Sequence, residues 1–262
     1  MERVISKDGT AIAYDRSGQG PAVILVGGAL GNRAAAAPLA SLLAQHLTVF
    51  AYDRRGRGDS GDNQPYALER EIEDIEALVQ EAGGSASLYG HSSGACLALE
   101  AALRLGPRVE NLAMYEPPYN SDELARQEWG AYRRELTEVL AAGRRADAVQ
   151  LFMRVVGIPD EQIEGMRQSP MWPELEAVAA TLAYDAAAVG ADRSIPAGRA
   201  AAVRIPTLVM NGDASYPFMY DTALALSKAI PNAKLRTLEG QTHAIEPAVL
   251  APVLVEFLAR SA

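Results

Sequence analysis

The 262-residue sequence has few of the residues that form disulfides or that most often bind transition metals: it contains one cysteine and three histidines. Because a lone cysteine, Cys96, cannot form an internal disulfide, a disulfide-stapled secreted module is excluded. The histidines at positions 46, 91 and 243 are not spaced as paired metal ligands. We therefore expect no metal and no other cofactor, and a chain of this length buries enough surface to fold without them.

Long apolar runs are also missing. No stretch of 18 apolar residues occurs, and the N-terminus lacks the apolar core of a signal peptide, so we expect a cytoplasmic protein with no membrane partner. Acidic residues outnumber basic ones by 33 to 24, and the net charge of −9 disfavours binding to nucleic acid. The expected partner is a small-molecule substrate, and the composition leaves the oligomeric state open.

Strand-like and helix-like segments alternate in two parts of the chain, 1–118 and 203–262. Short apolar runs such as Val23–Val26 and Leu47–Tyr52 are typical of strands buried on both faces of a parallel sheet. Leu68–Glu81 has its apolar residues at helical spacing, and a last helix is predicted from Pro247 towards Arg260. Near the N-terminus, Ile5 and the run at 11–14 are predicted to form an antiparallel hairpin.

Residues 119–202 interrupt this alternation with helical patterns and no clear buried strand. The whole sequence therefore predicts an α/β fold, with a mostly parallel sheet, helices on both faces and a helical insertion. We assign 1–118 and 203–262 to the core and 119–202 to the insertion. In such sheets ligands bind beyond the carboxyl ends of the strands, so the residues that directly follow each strand are the candidates for a site.

A Gly-x-Ser-x-Gly pattern, formed by Gly90, Ser92 and Gly94, lies between a predicted strand and a predicted helix. In that context the serine sits on a sharp, strained turn that exposes its hydroxyl, and the flanking glycines leave room for it. A serine hydroxyl needs a base at neutral pH. His243 is the best candidate because it follows a strand late in the chain, whereas the side chain of His91 is expected to point away from Ser92.

These features resemble the α/β-hydrolase superfamily over nearly the whole chain. The resemblance implies eight strands, with a helical lid after strand six that matches 119–202. It also implies Ser92 as nucleophile, His243 as base and the backbone amides of Ala29 and Ser93 as the oxyanion hole. The segments that carry it are Val26–Ala29, Tyr52–Ser60, Gly90–Gly94 and Gly240–His243.

The acid that would complete the triad departs from this pattern. Relatives usually carry it three residues after the glycine that follows strand seven, and here that position is Ser215. Glu116, which follows strand six, is our favoured substitute because some members of the superfamily take their acid from that position. Asp213 is the alternative, two residues nearer to the strand than the usual site.

The resulting hypothesis is a serine hydrolase, esterase-like, that cleaves an ester or related acyl bond of a small, partly apolar substrate through an acyl-enzyme. Two alternatives remain open from the sequence. One is a non-hydrolytic enzyme on the same scaffold, such as a lyase or a cofactor-free peroxidase-like member. The other is a ligand-binding member with weak turnover, which the serine at position 215 favours.

Overall fold

A computed structural model describes residues 1–259, and the predicted end of the last helix and of the core, 260–262, lies outside them. Within the described residues, one eight-stranded sheet has the order β1-β2-β4-β3-β5-β6-β7-β8. The pairs β1–β2 and β2–β4 are antiparallel and the others are parallel. The strands are β1 (Glu2–Ile5), β2 (Ala11–Ser17), β3 (Ala22–Val26), β4 (Thr48–Tyr52), β5 (Ala86–His91), β6 (Val109–Tyr115), β7 (Thr207–Gly212) and β8 (Ala233–Leu238).

Helices cover both faces of the sheet and create two hydrophobic clusters. The first cluster packs residues of α2 and α3, such as Ile75 and Leu97, against one face of the central strands. The second packs α1 and α11 against the other face, through residues such as Leu43 and Leu254. The core helices are α1 (Arg33–Leu43), α2 (Leu68–Glu81), α3 (Ser93–Leu105), α10 (Pro217–Ala229) and α11 (Pro247–Leu258). The α/β fold predicted from the alternating sequence pattern is confirmed.

Six further α-helices lie between β6 and β7, and no strand interrupts them within this described stretch. They are α4 (Glu123–Ala141), α5 (Arg145–Val155), α6 (Asp160–Arg167), α7 (Trp172–Ala177), α8 (Leu182–Val189) and α9 (Ala197–Ala200). Gly143 and Gly157 follow α4 and α5 in left-handed conformations, which end these helices. No helix in residues 1–259 combines the length and apolar character that a membrane crossing requires.

Helix α3 starts unusually close to the backbone of β3. A Cβ added to Gly94 would overlap the carbonyl oxygens of Val26 and Gly27, and one added to Gly90 would overlap the backbone of Ala95. Both glycines are therefore required by close approach of backbone to backbone. This contact sets the distance between the start of α3 and the loop after β3.

Gly94→Ala is expected to lower the free energy of unfolding by at least about 2 kcal/mol, because the added methyl group meets main-chain atoms that cannot rotate away. The measurement is urea unfolding at neutral pH. Gly165→Ala is the matched control, since Gly165 lies within α6 with open space around its Cα. Alanine there should leave stability unchanged or raise it by up to about 1 kcal/mol. Equal midpoints for Gly94→Ala and the unsubstituted protein would contradict the close approach.

Candidate active site

Ser92 occupies the turn between β5 and α3 with a backbone conformation that side chains rarely adopt, φ 56° and ψ −128°. Its amide donates to the carbonyl of Tyr115 at the end of β6 (3.0 Å), and its own carbonyl accepts from Ala95 in the first turn of α3 (2.8 Å). These bonds hold the strained residue from both sides. The conformation is the one that lifts a serine hydroxyl above the carboxyl edge of a parallel sheet.

Three side chains form a continuous chain of hydrogen bonds at this edge. The hydroxyl Oγ of Ser92 lies 3.1 Å from Nε2 of His243. Nδ1 on the other side of the same ring lies 2.7 Å from Oε2 of Glu116. The structure thus brings together residues separated by up to 151 positions in the chain. A hydroxyl, an imidazole and a carboxylate in this order can move a proton away from the hydroxyl.

Glu116 directly follows β6 in a left-handed conformation, φ 48°, and its side chain is fully buried. Its Oε1 accepts the amide of Gly212 at the end of β7 (2.9 Å). Its Oε2 accepts the hydroxyl of Ser215 (2.8 Å) as well as the ring of His243. Ser215, at the position where relatives carry the acid, is therefore a donor to the carboxylate that contacts the imidazole.

Asp213, the alternative acid, lies on the surface, and its Oδ1 accepts the amide of Gly240 (2.6 Å) in the loop that precedes His243. The structure places this carboxylate in a turn and gives it no hydrogen bond to the imidazole. Its contact is of the kind that aspartate side chains make with nearby main chain.

The loop that carries His243 is held by two donors from neighbouring strands. His91, the last residue of β5, donates from Nε2 to the carbonyl of His243 (2.9 Å), and the hydroxyl of Tyr115 donates to the carbonyl of Thr242 (2.6 Å). Burial, together with the nearby ring of His243, lowers the pKa of His91 to about 4. This contact of His91 with the main chain of His243 was not predicted from the sequence.

The loop after β3 lies directly beside the serine. A Cβ on Gly28 would stand 3.1 Å from the Cβ of Ser92, so the next amide, that of Ala29, belongs to backbone that adjoins the hydroxyl. Two carbonyls of this loop accept hydrogen bonds from arginine side chains. Arg57 donates to the carbonyl of Gly28 (2.6 Å) and Arg54 donates to that of Gly27 (3.3 Å).

Both arginines are buried and share a carboxylate from the inserted helices. Asp185 of α8 accepts Nη1 of Arg54 (2.6 Å) and Nη2 of Arg57 (2.7 Å), and it also accepts the hydroxyl of Ser93 (2.7 Å). Glu71 of α2 pairs with the other edge of Arg54. Burial alone would raise the pKa of Asp185, but the charges of the two arginines more than offset this effect and lower it. The carboxylate is therefore ionised at neutral pH, and no pattern in the sequence pointed to it.

The remaining residues singled out from the sequence lie apart from this chain of hydrogen bonds. Cys96 is buried in α3, where burial raises the pKa of its thiol to about 12, and His46 is exposed after α1. Among residues 1–259, no group of three or more histidine, cysteine, aspartate or glutamate side chains is arranged to hold a metal ion.

Known proteins resemble both the sequence and the fold. The crystal structure of an alpha/beta hydrolase from Sphaerobacter thermophilus is 52% identical, covers 98% of this chain and 99% of its own, and superposes with a TM-score of 0.88. An uncharacterized hydrolase of Bacillus subtilis, YraK, is 28% identical over 56% of this chain and 55% of its own length. N-formylmaleamate deformylase of Pseudomonas putida is 33% identical over 44% of each chain.

The alignments with these two curated relatives thus span about half of their lengths. The match to a family model is more extensive, because the model of the alpha/beta hydrolase family matches residues 23–253. That range runs from β3 into α11 and includes every residue of the hydrogen-bonded chain described above. This chain belongs to the alpha/beta hydrolase family.

Proposed function

We propose that the protein is a serine hydrolase that cleaves an ester or related acyl bond of a small, partly apolar substrate. The observation that carries this proposal is the unbroken sequence of hydrogen bonds from Ser92 through His243 to Glu116. Membership of a hydrolase family supports it. A serine nucleophile also separates the protein from members that use a carboxylate to attack an alkyl carbon.

In the proposed reaction, Oγ of Ser92 attacks the acyl carbon while its proton passes to Nε2 of His243. The carbonyl oxygen takes up the negative charge of the tetrahedral intermediate. When the bond to the leaving group breaks, the imidazolium returns the proton to that group and an acyl-enzyme remains. Water then attacks the acyl carbon with His243 again as base, and release of the acid restores the serine.

Glu116 is the proposed acid of this triad. Its hydrogen bond to Nδ1 fixes the tautomer that leaves Nε2 free to accept the serine proton, and its charge stabilises the imidazolium that follows. The bonds that it accepts from Gly212 and Ser215 give this fully buried carboxylate two further hydrogen-bond partners. A serine at position 215 therefore supports the hydrolase rather than a ligand-binding protein, because it contacts the proposed acid.

The amides of Ala29 and Ser93 are the proposed oxyanion hole. Ser93 is the first residue of α3, where main-chain amides are free to point at a ligand and the helix dipole favours an anion. Ala29 follows Gly28, which packs against Ser92. Two such donors stabilise the negative oxygen of the intermediate, each by about 2.7–4 kcal/mol in known serine hydrolases.

The inserted helices are proposed to form a lid, residues 119–202, over the carboxyl edge of the core. Their contacts with the site run through α8, whose Asp185 meets Ser93. The deformylase among the relatives removes an N-formyl group, so acyl–nitrogen bonds belong in a substrate screen beside esters.

Covalent labelling tests the nucleophile. A fluorophosphonate probe is expected to label the protein once, with loss of fluoride as the Oγ–phosphorus bond forms, and the modified peptide should contain Ser92. Ser92→Ala is expected to remain unlabelled and folded. Mass spectrometry of the intact protein and its peptides provides the measurement. A protein that stays unlabelled at high probe concentration would refute the proposal.

Two neutral substitutions distinguish the candidate acids. Glu116→Gln should lower kcat on an activated ester by a factor on the order of 10⁴, because an amide cannot stabilise the imidazolium. Asp213→Asn should retain most of the activity, since its side chain bonds to the main chain of Gly240. Steady-state kinetics with circular dichroism as a folding control gives the comparison. The opposite ranking of the two variants would assign the acid to Asp213.

The low pKa of His91 predicts a pH-dependent stability that needs no substrate to observe. Between pH 6.5 and 4 the unfolded chain takes up a proton at His91 that the folded protein does not, so stability falls as the pH falls through this window. Between pH 7 and pH 4.5, the unsubstituted protein should lose about 2 kcal/mol more than His91→Gln, which keeps a donor for the His243 carbonyl. Urea unfolding at both pH values measures this difference. Equal losses of stability in the unsubstituted protein and in His91→Gln would contradict the assigned protonation state of His91.

A further inference from the structure

Asp185 belongs to the inserted helix α8, yet its three hydrogen-bond partners are core residues: Ser93, which follows Ser92, and two arginines that bond to the loop after β3. It accepts Arg54, Arg57 and the hydroxyl of Ser93, at 2.6 to 2.7 Å. The carboxylate and both guanidinium groups are buried, so these bonds are shielded from water and strongly directional. Buried hydrogen bonds of this kind fix the orientation of both arginines and of Ser93, and therefore of the main-chain groups that these residues contact or contain.

The arginines hold the carbonyls of the loop after β3. In a planar trans peptide the carbonyl and the next amide point in opposite directions. The bond from Arg57 to the oxygen of Gly28 therefore aims the amide of Ala29 away from the arginine. Glycine peptides rotate easily because no Cβ restricts them, so this Gly-Gly-Ala segment needs an external constraint to keep one orientation.

The second proposed donor is constrained by the same carboxylate. Ser93 begins α3, and its hydroxyl donates to Oδ1 of Asp185, the oxygen that also accepts Arg54. One side chain of the insertion is thus linked to both sides of the oxyanion hole. It reaches one side through a direct bond and the other through an arginine.

We propose that Asp185 is a positioning residue that holds the amides of Ala29 and Ser93 in the orientation that an oxyanion requires. The inserted helices then complete the catalytic machinery of the core as well as covering the substrate. This inference rests on the proposed function, because it assigns a cause to the geometry of the same oxyanion hole.

A neighbouring residue on α8 offers a matched control. The hydroxyl of Tyr184 also connects α8 to the core, since it donates to Asp62 (2.7 Å) and accepts from Gln64 (2.6 Å), but neither partner contacts the loop after β3. Tyr184→Phe removes a tie between insertion and core and leaves the arginines in place. This variant therefore measures how much activity depends on an attachment of the insertion that has no link to the oxyanion hole.

The experiment compares Asp185→Asn with Tyr184→Phe through the rate of fluorophosphonate labelling and the kinetics of p-nitrophenyl acetate hydrolysis. Asp185→Asn should reduce both the labelling rate constant and kcat by about 10²-fold with little change in KM, because the amides then stabilise the developing charge less well. Tyr184→Phe should retain the original labelling rate. Circular dichroism and thermal unfolding verify that both variants fold.

A second variant answers the case in which Asp185→Asn does not fold. Arg57→Lys keeps a positive charge beside Asp185, but a single ammonium group cannot reproduce the fork that spans Asp185 and the carbonyl of Gly28. It should show the same slow labelling with unchanged KM. A folded variant of either kind that labels at the original rate would overturn the inference and leave the proposed function intact. An unsubstituted protein that does not label would instead refute the proposed function itself.

Discussion

The hydrogen bond between Glu116 and His243 is the interaction on which the rest of the site depends. It joins a carboxylate fully buried behind β6 to a ring on a loop near the other end of the chain. A buried carboxylate is costly unless it is well hydrogen-bonded, and here Gly212 and Ser215 supply the additional donors. The ends of β6 and β7 and the loop after β8 are thereby tied to a single side chain, which holds the imidazole of His243 beside Ser92.

Much of this could be predicted from the sequence because it depends on local patterns. Buried strands were recognised from short apolar runs, and α2 was predicted at its observed bounds from helical spacing. Ser92 could be proposed as a site residue because its turn requires glycines at fixed positions. His243 could be proposed because it follows a strand, at the carboxyl edge of the sheet. The preference for Glu116 over Asp213 came from family resemblance, since both residues follow strands and local sequence does not say which side chain turns inward.

The parts that escaped prediction are those in which partners are remote. Asp185 lies 131 positions from Arg54, and nothing in the spacing of charges indicates that the two meet. Arg54 and Arg57 are of a residue type that is mostly exposed, but both are buried. The bond from His91 to the carbonyl of His243 was not predicted, because a bond to a main-chain carbonyl does not depend on the type of residue that supplies it. The contacts of Asp185 depend on how the inserted helices pack on the core, which local sequence does not specify.

The location of Glu116 after β6 affects how this protein can diversify. Glu116 lies just before the insertion, so the residue whose carboxylate bonds to the imidazole is attached to the start of the inserted segment. The loop after β7 contributes a hydroxyl from Ser215 in place of a charge. Tyr216 in this loop and Tyr220 in α10 are exposed, and neither side chain is part of the hydrogen-bonded chain from Ser92 to Glu116. Replacing the insertion with one from another protein, in contrast, would alter the main chain next to Glu116 and thereby its hydrogen bond to His243.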